Sequence, residues 1–537
     1  MKRLSLLIVL LILSATTILA QRTITGKVTD GKNEPLIGAS IQVKGTTTGT
    51  VTDIDGLYSV VIPQGANLLL ITYTGYALQE VEIGNLNSIN VIMEEGLALQ
   101  EVVVTALGIN KQPRELGYSV ARIKNDDLTQ AKVSNLQNGL VGKVSGLQVS
   151  TVNNGVNADT RIVLRGIRSL LGNNQALLVI DGTPVSLNFI SSINPNDVES
   201  VNVLKGANAA SLYGPEGVNG VIVVTTKKGT GSSKPQINFS HSNQYEKVAF
   251  LPDLQTRFGS GSSFNSFGDG IYDPIENQSW GDEFDGSTRP VGQETFEGKT
   301  QELPYSYLPG EKDRFWDLGR NIQNDISVSS GDAQSNFYLS FQNLGVQAPL
   351  PGDERTRNTL RLNAGKVYGK FKAGLNLGYT LGNRDISTQP FNAYWFMQNA
   401  PGQIPITSYR DYENDYWSNR NNYYNDYFTN PYEIIFENRA KRRTDDIFGN
   451  TTLSFKPTPW LDITNRLGFT LTTFNEKGFS KARDYSDFAI HHRSFASGGS
   501  VKANVFDNYS FENRINNELL ATSNFKVGNL GFNLLGG

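Results

Sequence analysis

From Ile237 onward the chain alternates between apolar and polar residues. Ile237 and Phe239, Ile326 and Val328, Phe337, Leu339 and Phe341, Leu360 and Leu362, Phe371, Leu375 and Leu377, Leu453 and Phe455, Leu467, Phe469 and Leu471, and Leu530, Phe532 and Leu534 fall at every second position. That is the period of strands whose two faces meet different surroundings. Ser330-Gly331-Asp332-Ala333 predicts a short hairpin turn, while the intervals 248–320 and 382–446 are too long for turns and predict extended loops. Upstream, short β-rich runs at 23–28, 40–43, 58–62, 68–73 and 81–83 are separated by Asp30-Gly31, Lys44-Gly45 and Asp55-Gly56, a spacing that predicts a small β-sandwich. Between these regions, two β-branched runs at 198–204 and 218–226 flank a segment dense in Gly, Asn and Ala. That order reads as strand, short helix, strand.

Residues 1–20 carry a different pattern: Lys2 and Arg3, an unbroken apolar run at 6–13, then small and polar residues up to Ala20. A spanning helix needs about 20 apolar residues, and Ser14, Thr16 and Thr17 interrupt this one early, so a cleavable secretory signal is expected, cut after Ala20. No later stretch approaches a helical span. An exported chain can still cross a bilayer as a closed barrel, whose alternating strands escape hydropathy scans. A soluble sandwich gives similar alternation, so the period alone leaves both open.

Composition narrows the field. Aromatic residues make up 10% of the chain and there are 53 glycines, which suits short strands and many turns. The chain has no cysteine, which removes disulfides, thiolate metal sites and a lipidated N-terminus. A net charge of -3, with scattered Lys and Arg, gives no basic footprint for nucleic acid. The three histidines, His241 and the pair His491-His492, lack metal-binding helical spacing, and there is no G-x-S-x-G elbow or P-loop. No cofactor, metal site or catalytic residue is expected. Asp53-x-Asp55-Gly56 is half of a calcium loop without its remaining acidic ligands and reads as a hairpin turn.

The stretch 193–229, INPNDVESVNVLKGANAASLYGPEGVNGVIVVTTKKG, closely resembles the end of the plug domain in the SusC/RagA family of TonB-dependent outer-membrane transporters. LVGKVSGLQVS at 140–150, RIVLRGIRSL at 161–170 and NNQALLVIDGTPV at 173–185 resemble successive motifs of the same domain, in order. Gly214-Pro215-Glu216-Gly217 departs from the family's more frequent Gly-Ser-Arg-Gly, and Asp159-Thr160 from its usual small residues. GKVTD, PLIGASIQVKGTTTGTVTDIDGLYSV and TYTGY resemble the carboxypeptidase-regulatory-like domain that precedes the plug in many SusC-type proteins. SWGDEFDG at 279–286 resembles a barrel motif of the family, with Asp282 where proline is more frequent. Between the two domains, LALQEVVVTALGI at 97–109 resembles the TonB box; a β-branched segment without a sheet partner can add as an edge strand to another protein.

The resemblance implies a mainly β protein: a small N-terminal β-sandwich, an α+β plug and a partial, truncated antiparallel transmembrane β-barrel. The expected organisation is a signal peptide at 1–20, a carboxypeptidase-regulatory-like sandwich at 22–96, a TonB-box-like segment and linker at 97–111, the plug at 112–230 and barrel strands at 235–537. It implies TonB-dependent import of oligosaccharides or peptides across the outer membrane. The implied partners are TonB with ExbB and ExbD, a SusD-like surface lipoprotein, and outer-membrane lipid. TonB is expected on Glu101, Val102, Val103, Val104, Thr105, Ala106 and Leu107. A siderophore or signalling receptor, an export channel or adhesin, and an exported carbohydrate-active enzyme are the competing classes.

Candidate ligand chemistry sits in the long loops. The interval 391–432 concentrates Tyr, Trp, Asn and Asp, flat apolar faces with polar rims suited to sugars or peptides, and Tyr394, Trp395, Tyr416, Trp417 and Tyr424 are the candidate contacts. Packing of the loops on one another is the competing role for each. Asp282, Glu283 and Asp285 form an acidic trio that could act as catalytic carboxylates, but no partner group lies nearby in sequence. Finally, a barrel around a plug of this size needs on the order of 22 strands, whereas 236–537 supplies eight to ten of about 10 residues. The expectation is an open sheet with an exposed edge near 530–535.

Overall fold

The computed structural model describes residues 22–94, 103–104, 110–111 and 120–537, apart from 32, 45, 47, 64–65, 74–75, 152–154, 157–159, 171, 206–212, 230–231, 233 and 529. The expected signal peptide lies outside the described residues. The chain divides into two compact units, one of 1–103 with 110–117 and one of 104–109 with 118–537.

The first unit is a sandwich of two sheets. Strands β1 (Arg22–Asp30), β4 (Leu57–Ile62) and β7 (Val91–Met93) form one, in the order β4-β1-β7; β2 (Ser40–Val43), β3 (Gly49–Val51), β5 (Leu68–Thr72) and β6 (Gln79–Glu82) form the other, in the order β3-β2-β5-β6. In β4 every second residue is buried. Ile24, Val28, Ile41, Val43, Tyr58, Val60, Leu69 and Ile71 meet in the core, as period-two patterning requires. The Asp53 cluster is a turn: the Asp53 carboxylate accepts from the backbone N–H of Asp55 (3.0 Å) and Leu57 (2.8 Å), and Gly56 takes φ +73°. Strands β3 and β7, which the sequence patterning did not separate from loops, complete the two sheets. Two-residue strands β8 (Val103–Val104) and β9 (Asn110–Lys111) follow.

The second unit contains the plug and a large sheet. In the plug, β10 (Val120–Lys124), β13 (Leu177–Ile180), β14 (Thr183–Val185), β15 (Val198–Leu204) and β16 (Val221–Thr226) make a five-stranded mixed sheet in the order β10-β15-β16-β13-β14, beside the hairpin of β11 (Leu147–Thr151) and β12 (Thr160–Leu164). Strand β15 has the bounds the β-branched run predicts; the second run becomes strand only at Val221, after a 3-10 turn at Gly214–Gly217. Residues Leu128, Leu136, Ile162, Leu178, Ile190, Val201 and Val224 bury one continuous core, which also takes in Phe448 from the large sheet.

The large sheet is antiparallel, with nine strands in chain order: β17 (Gln236–Glu246), β22 (Gly319–Gly331), β23 (Ser335–Gln347), β24 (Glu354–Tyr368), β25 (Phe371–Ser387), β26 (Asn438–Thr458), β27 (Leu461–Ser480), β28 (Asn504–Val527) and β29 (Leu530–Gly536). Small loop strands β18 (Ser263–Phe264), β19 (Gly270–Ile271), β20 (Thr288–Val291) and β21 (Gln301–Pro304) lie between β17 and β22. β17 and β29 are the two ends of the sheet's order, and every residue of β29 is exposed.

Two features orient this sheet. All the tight connections, 332–334, 369–370, 459–460 and 528–529, fall at one end, and the longer segments 247–318, 348–353, 388–437 and 481–503 at the other. The expected loop interval 382–446 is shorter than predicted, because β25 runs on to Ser387 and β26 starts at Asn438. Exposed aromatic side chains, Tyr368, Phe371 and Trp460, mark the tight-turn end, with Phe371 stacked on Phe455 at 4.7 Å.

The second feature is that the two faces are inverted relative to a soluble sheet. One register row carries Ile326, Phe341 and Leu360, all exposed. The neighbouring row carries Asp325, Gln342, Thr359, Thr380 and Asp446, all buried. An apolar exterior over a polar, plug-filled interior is the distribution that lipid selects and water does not. Among the described residues no helix is long and apolar enough to cross a membrane.

Candidate functional site

The plug is fastened to the polar face of the sheet by two sets of buried hydrogen bonds. The first is built on the tip of the β13–β14 hairpin. Asp181 and Gly182 both take positive φ (+47° and +86°), the two-residue turn that Asp-Gly favours, and this carries the Asp181 carboxylate into the wall. There it pairs with Arg361 of β24 at 2.9 Å, with both side chains buried. It also accepts from the Thr226 hydroxyl (2.6 Å), the Thr226 N–H (2.9 Å) and the Asn376 amide of β25. Arg361 donates further to Thr226 Oγ1 (3.0 Å) and Asn376 Oδ1 (2.8 Å), and Asn363 donates to the Lys227 carbonyl. Beside the tip, Arg466 of β27 bridges to Glu518 of β28 at 3.0 Å. A Cβ at Gly182 would sit 2.6 Å from its guanidinium, and one at Gly468 would overlap the Thr183 side chain. Glycine at these two positions is what lets tip and wall meet.

The second set is built on 191–197, the opening of the sequence motif. Asn194 donates to Asp325 of β22 (2.9 Å) and accepts from Gln342 of β23 (2.6 Å), which also donates to Asp325 (2.8 Å). Asp197 accepts from the Tyr338 hydroxyl (2.8 Å); complete burial pushes its carboxyl above the ordinary range, opposed by the Arg361 charge and the Tyr338 hydrogen bond. Ser192 bonds the Asp446 carboxylate of β26, which also accepts from Thr472 (2.8 Å). Arg357 of β24, fully buried, donates to the backbone carbonyls of Ser191 and Ser134, each at 2.9 Å, and to Gln342 Oε1 at 2.7 Å. None of these wall residues was singled out from sequence. They are the polar members of the alternating strands, and their spacing was the available signal.

Between plug residues 186–192 and the outer halves of β24 to β28 lies a cavity of about 580 Å³, mostly polar in lining, with Phe189 and Phe474 as its aromatic members.

The long segments at the outer end pack on one another. Val291, Phe315, Met397, Ile406, Tyr409, Tyr423, Tyr432 and Ile435 form a shared core of two of them. Asp426 ties three together, accepting from Gln293 (3.0 Å) and from the Ser494 hydroxyl (2.5 Å). The five candidate ligand contacts separate accordingly. Tyr424 is buried in this core, 5.8 Å from the Tyr409 ring and 4.8 Å from Tyr423, so its placement is that of a packing residue, because the neighbouring rings leave it no accessible face. Tyr394 and Trp417 are half-buried against the same core. Tyr416 contacts Trp417 edge to face at 4.8 Å, while its hydroxyl bonds Glu297 and Thr295 and Lys299 sits 4.9 Å over its ring. Trp395 is exposed and stacks on Phe391 at 6.3 Å. The structure brings Tyr416 and Trp417 together and places Trp395 and Tyr424 elsewhere.

The acidic trio is held by arginines. Arg289 pairs with Asp282 (2.9 Å) and Asp285 (2.7 Å), and its guanidinium lies 3.9 Å from the Tyr305 ring centroid; Glu283 pairs with Arg257. Hydrogen bonds from Ser287, followed by that from Arg289, hold the Asp285 carboxyl below the ordinary range. Two carboxylates committed to one arginine form a strut for the 247–318 segment. Among the described residues no group of three or more His, Asp or Glu could hold a metal ion. Of the TonB-box-like positions, Val103 and Val104 are described, as a two-residue strand; Glu101, Val102, Thr105, Ala106 and Leu107 lie outside the described residues.

Comparison with known proteins agrees with this architecture. Residues 112–221 match the TonB-dependent Receptor Plug Domain and residues 24–104 the CarboxypepD_reg-like domain. The chain is 38% identical over 226 residues to the TonB-dependent receptor P26 of Formosa agariphila, covering 42% of this chain and 22% of that protein. It is 35% identical over 289 residues to the TonB-dependent receptor SusC of Bacteroides thetaiotaomicron, covering 52% and 27%. The matched stretches thus cover about a quarter of the length of each of these relatives. Among solved structures, the RagAB peptide importer in its open-open state superposes with a TM-score of 0.58 at 20% identity, covering 80% of this chain and 47% of that one. Its closed-closed state gives 0.54. These establish a shared fold.

Proposed function

We propose, from the premise that this chain is SusC/RagA-like, with the regulatory-like and plug domains of a TonB-dependent receptor, that it serves energised nutrient import across the bacterial outer membrane. The observation that carries the reading is the inverted sheet: apolar residues outward, polar residues inward, and a separate domain hydrogen-bonded to the polar face. A wall for lipid and a removable stopper for its lumen are the parts that gated import requires. Signal peptide 1–20, sandwich 22–96, TonB-box segment 97–111, plug 112–230 and barrel strands 235–537 are the assigned divisions. The cargo is an oligosaccharide or a peptide, captured under a SusD-like surface lipoprotein. TonB with ExbB and ExbD supplies the pull, and no covalent chemistry is assigned to the chain.

The mechanism follows from where the fastening bonds lie. Arg357, Arg361, Asn194 and Asp325 hold the plug by hydrogen bonds, each worth about 0.5–1.5 kcal/mol net and more where charged. Such a set resists thermal release yet yields one contact at a time to a directed force. In this reading cargo in the lumen shifts plug residues 186–192, the 101–107 segment becomes available in the periplasm, and TonB adds to it as a β-strand. Deleting Glu101 to Leu107 from a full-length transporter carrying this region should leave surface binding of cargo intact and abolish its uptake, measured with labelled cargo in energised cells. Uptake that persists would remove the energised-import reading.

A further inference from the structure

The register of the large sheet sets three arginines side by side on its inward face. Arg355 of β24 lies directly opposite Arg384 of β25, and Arg384 directly opposite Arg442 of β26. Like charges directly opposite one another in a sheet repel, and in a partly buried lumen they are screened less than at a surface. Arg357 lies on the same face, two residues along β24 from Arg355, and both already serve the plug, Arg357 through the Ser191 and Ser134 carbonyls and Arg355 through Asn135 at 3.4 Å. Arg442 has its ion pair, Glu476 on β27 at 3.0 Å. Five arginines (161, 355, 357, 384, 442) line the cavity against two carboxylates, Asp446 and Glu512, with Glu476 behind Arg442 as a third. Asp446 is engaged by Ser192 and Thr472. The row therefore concentrates positive charge at the floor of the lumen, immediately above the plug segment 186–192 that import has to move.

We infer that this cavity binds the anionic groups of an acidic oligosaccharide, with carboxylates or sulfates bridging Arg384 and Arg442 beside the buried Arg355. The inference rests on the import reading and deepens it by naming the cargo class. Neighbouring strands are about 4.8 Å apart, a spacing comparable to the advance of one pyranose unit, so successive acidic sugars can meet successive arginines. Same-face side chains of an extended peptide recur at about 6.6 Å, which fits the row less well. The half-buried Phe474 and the hydroxyls of Thr380, Thr444 and Ser510 complete a lining suited to sugar rings. Guanidinium forks match both carboxylate and sulfate, so the source of the charge is left to the experiment.

The test measures binding by calorimetry to a full-length transporter carrying this region, extracted from the outer membrane. The probes are hexameric oligogalacturonate, sulfated maltohexaose, neutral maltohexaose and hexaglutamate. At least one acidic sugar should bind ten-fold or more tightly than neutral maltohexaose, weaken as salt rises, and lose at least ten-fold in an Arg384→Gln/Arg442→Gln variant. Arg384→Lys, which keeps the charge and controls for folding, should retain most of the affinity. Absence of binding by both acidic sugars, equal binding of the neutral hexamer, preference for hexaglutamate, or unchanged affinity in the double variant would each overturn the inference. Failure of the import reading gives a different result: acidic sugar binding retained and energy-dependent uptake absent.

Discussion

Asp181 and Arg361 are each almost fully buried, and each is the other's charge partner. Removing one leaves an uncompensated ion in the lumen, an error that costs about 3–5 kcal/mol in other buried pairs. Asp181→Ala should therefore loosen the plug from the wall by that order, read as a drop in the denaturant midpoint of the plug. Asp181→Asn, which keeps the turn geometry and three of the hydrogen-bonding partners within reach, should cost less. Glu433 offers a second test at this scale. It lies in the helix Pro431–Glu437 of the outer loop cluster, with Arg420 at 3.5 Å and Glu437 nearby, and burial lifts its carboxyl to about 7. In the unfolded chain a glutamate ionises near 4.3. The folded state thus keeps a proton that the unfolded state loses between these values, so the contribution of Glu433 to stability is full below about pH 4 and is lost as pH rises towards 7, by on the order of 3 kcal/mol. Glu433→Gln should flatten that decline, seen as the difference in melting temperature between pH 5 and pH 8 followed by tryptophan fluorescence.

At the scale of elements, period-two alternation revealed most of the strands of the large sheet because an outward apolar stripe is a local property. It did not single out β28, where Val505, Tyr509, Phe511, Ile515 and Leu519 are exposed but Asp507, Asn513 and Asn517 interrupt the stripe. It also shortened β25 and β26, whose outer ends carry Arg384 and Arg442 inward. The fastening residues were illegible for another reason: Asp181 and Arg361 are 180 positions apart, and no local pattern pairs them. In the outer segments, composition suggested ligand contacts where packing claims several of the same aromatics, Tyr424 most fully. Tyr416 and Trp417 are the pair to test. Replacing both by alanine should weaken cargo binding by a few kcal/mol at most, since aromatic contacts add about 0.5–1.5 kcal/mol each beyond their area. Unchanged affinity with a lowered melting temperature would assign the pair to loop packing instead.

For the molecule as a whole, the connectivity of the two parts of the second unit carries a kinetic meaning. Every strand of the large sheet pairs with its neighbour in chain order, several across turns of two or three residues. Its tight-turn hairpins, across 332–334, 369–370 and 459–460, each close a short loop at small entropic cost, while the longer segments 247–318 and 388–437 cost only slowly more with length. The plug sheet, ordered β10-β15-β16-β13-β14, must bring distant segments together, and its bonds to the wall span more than a hundred residues. Contacts of that separation form late, after the nearby pairings have paid for the approach. Interactions made after the transition state govern how fast a structure comes apart more than how fast it assembles. By that ordering the plug–wall hydrogen bonds weigh on the rate of release more than on the rate of assembly, and a force applied to the plug meets them first.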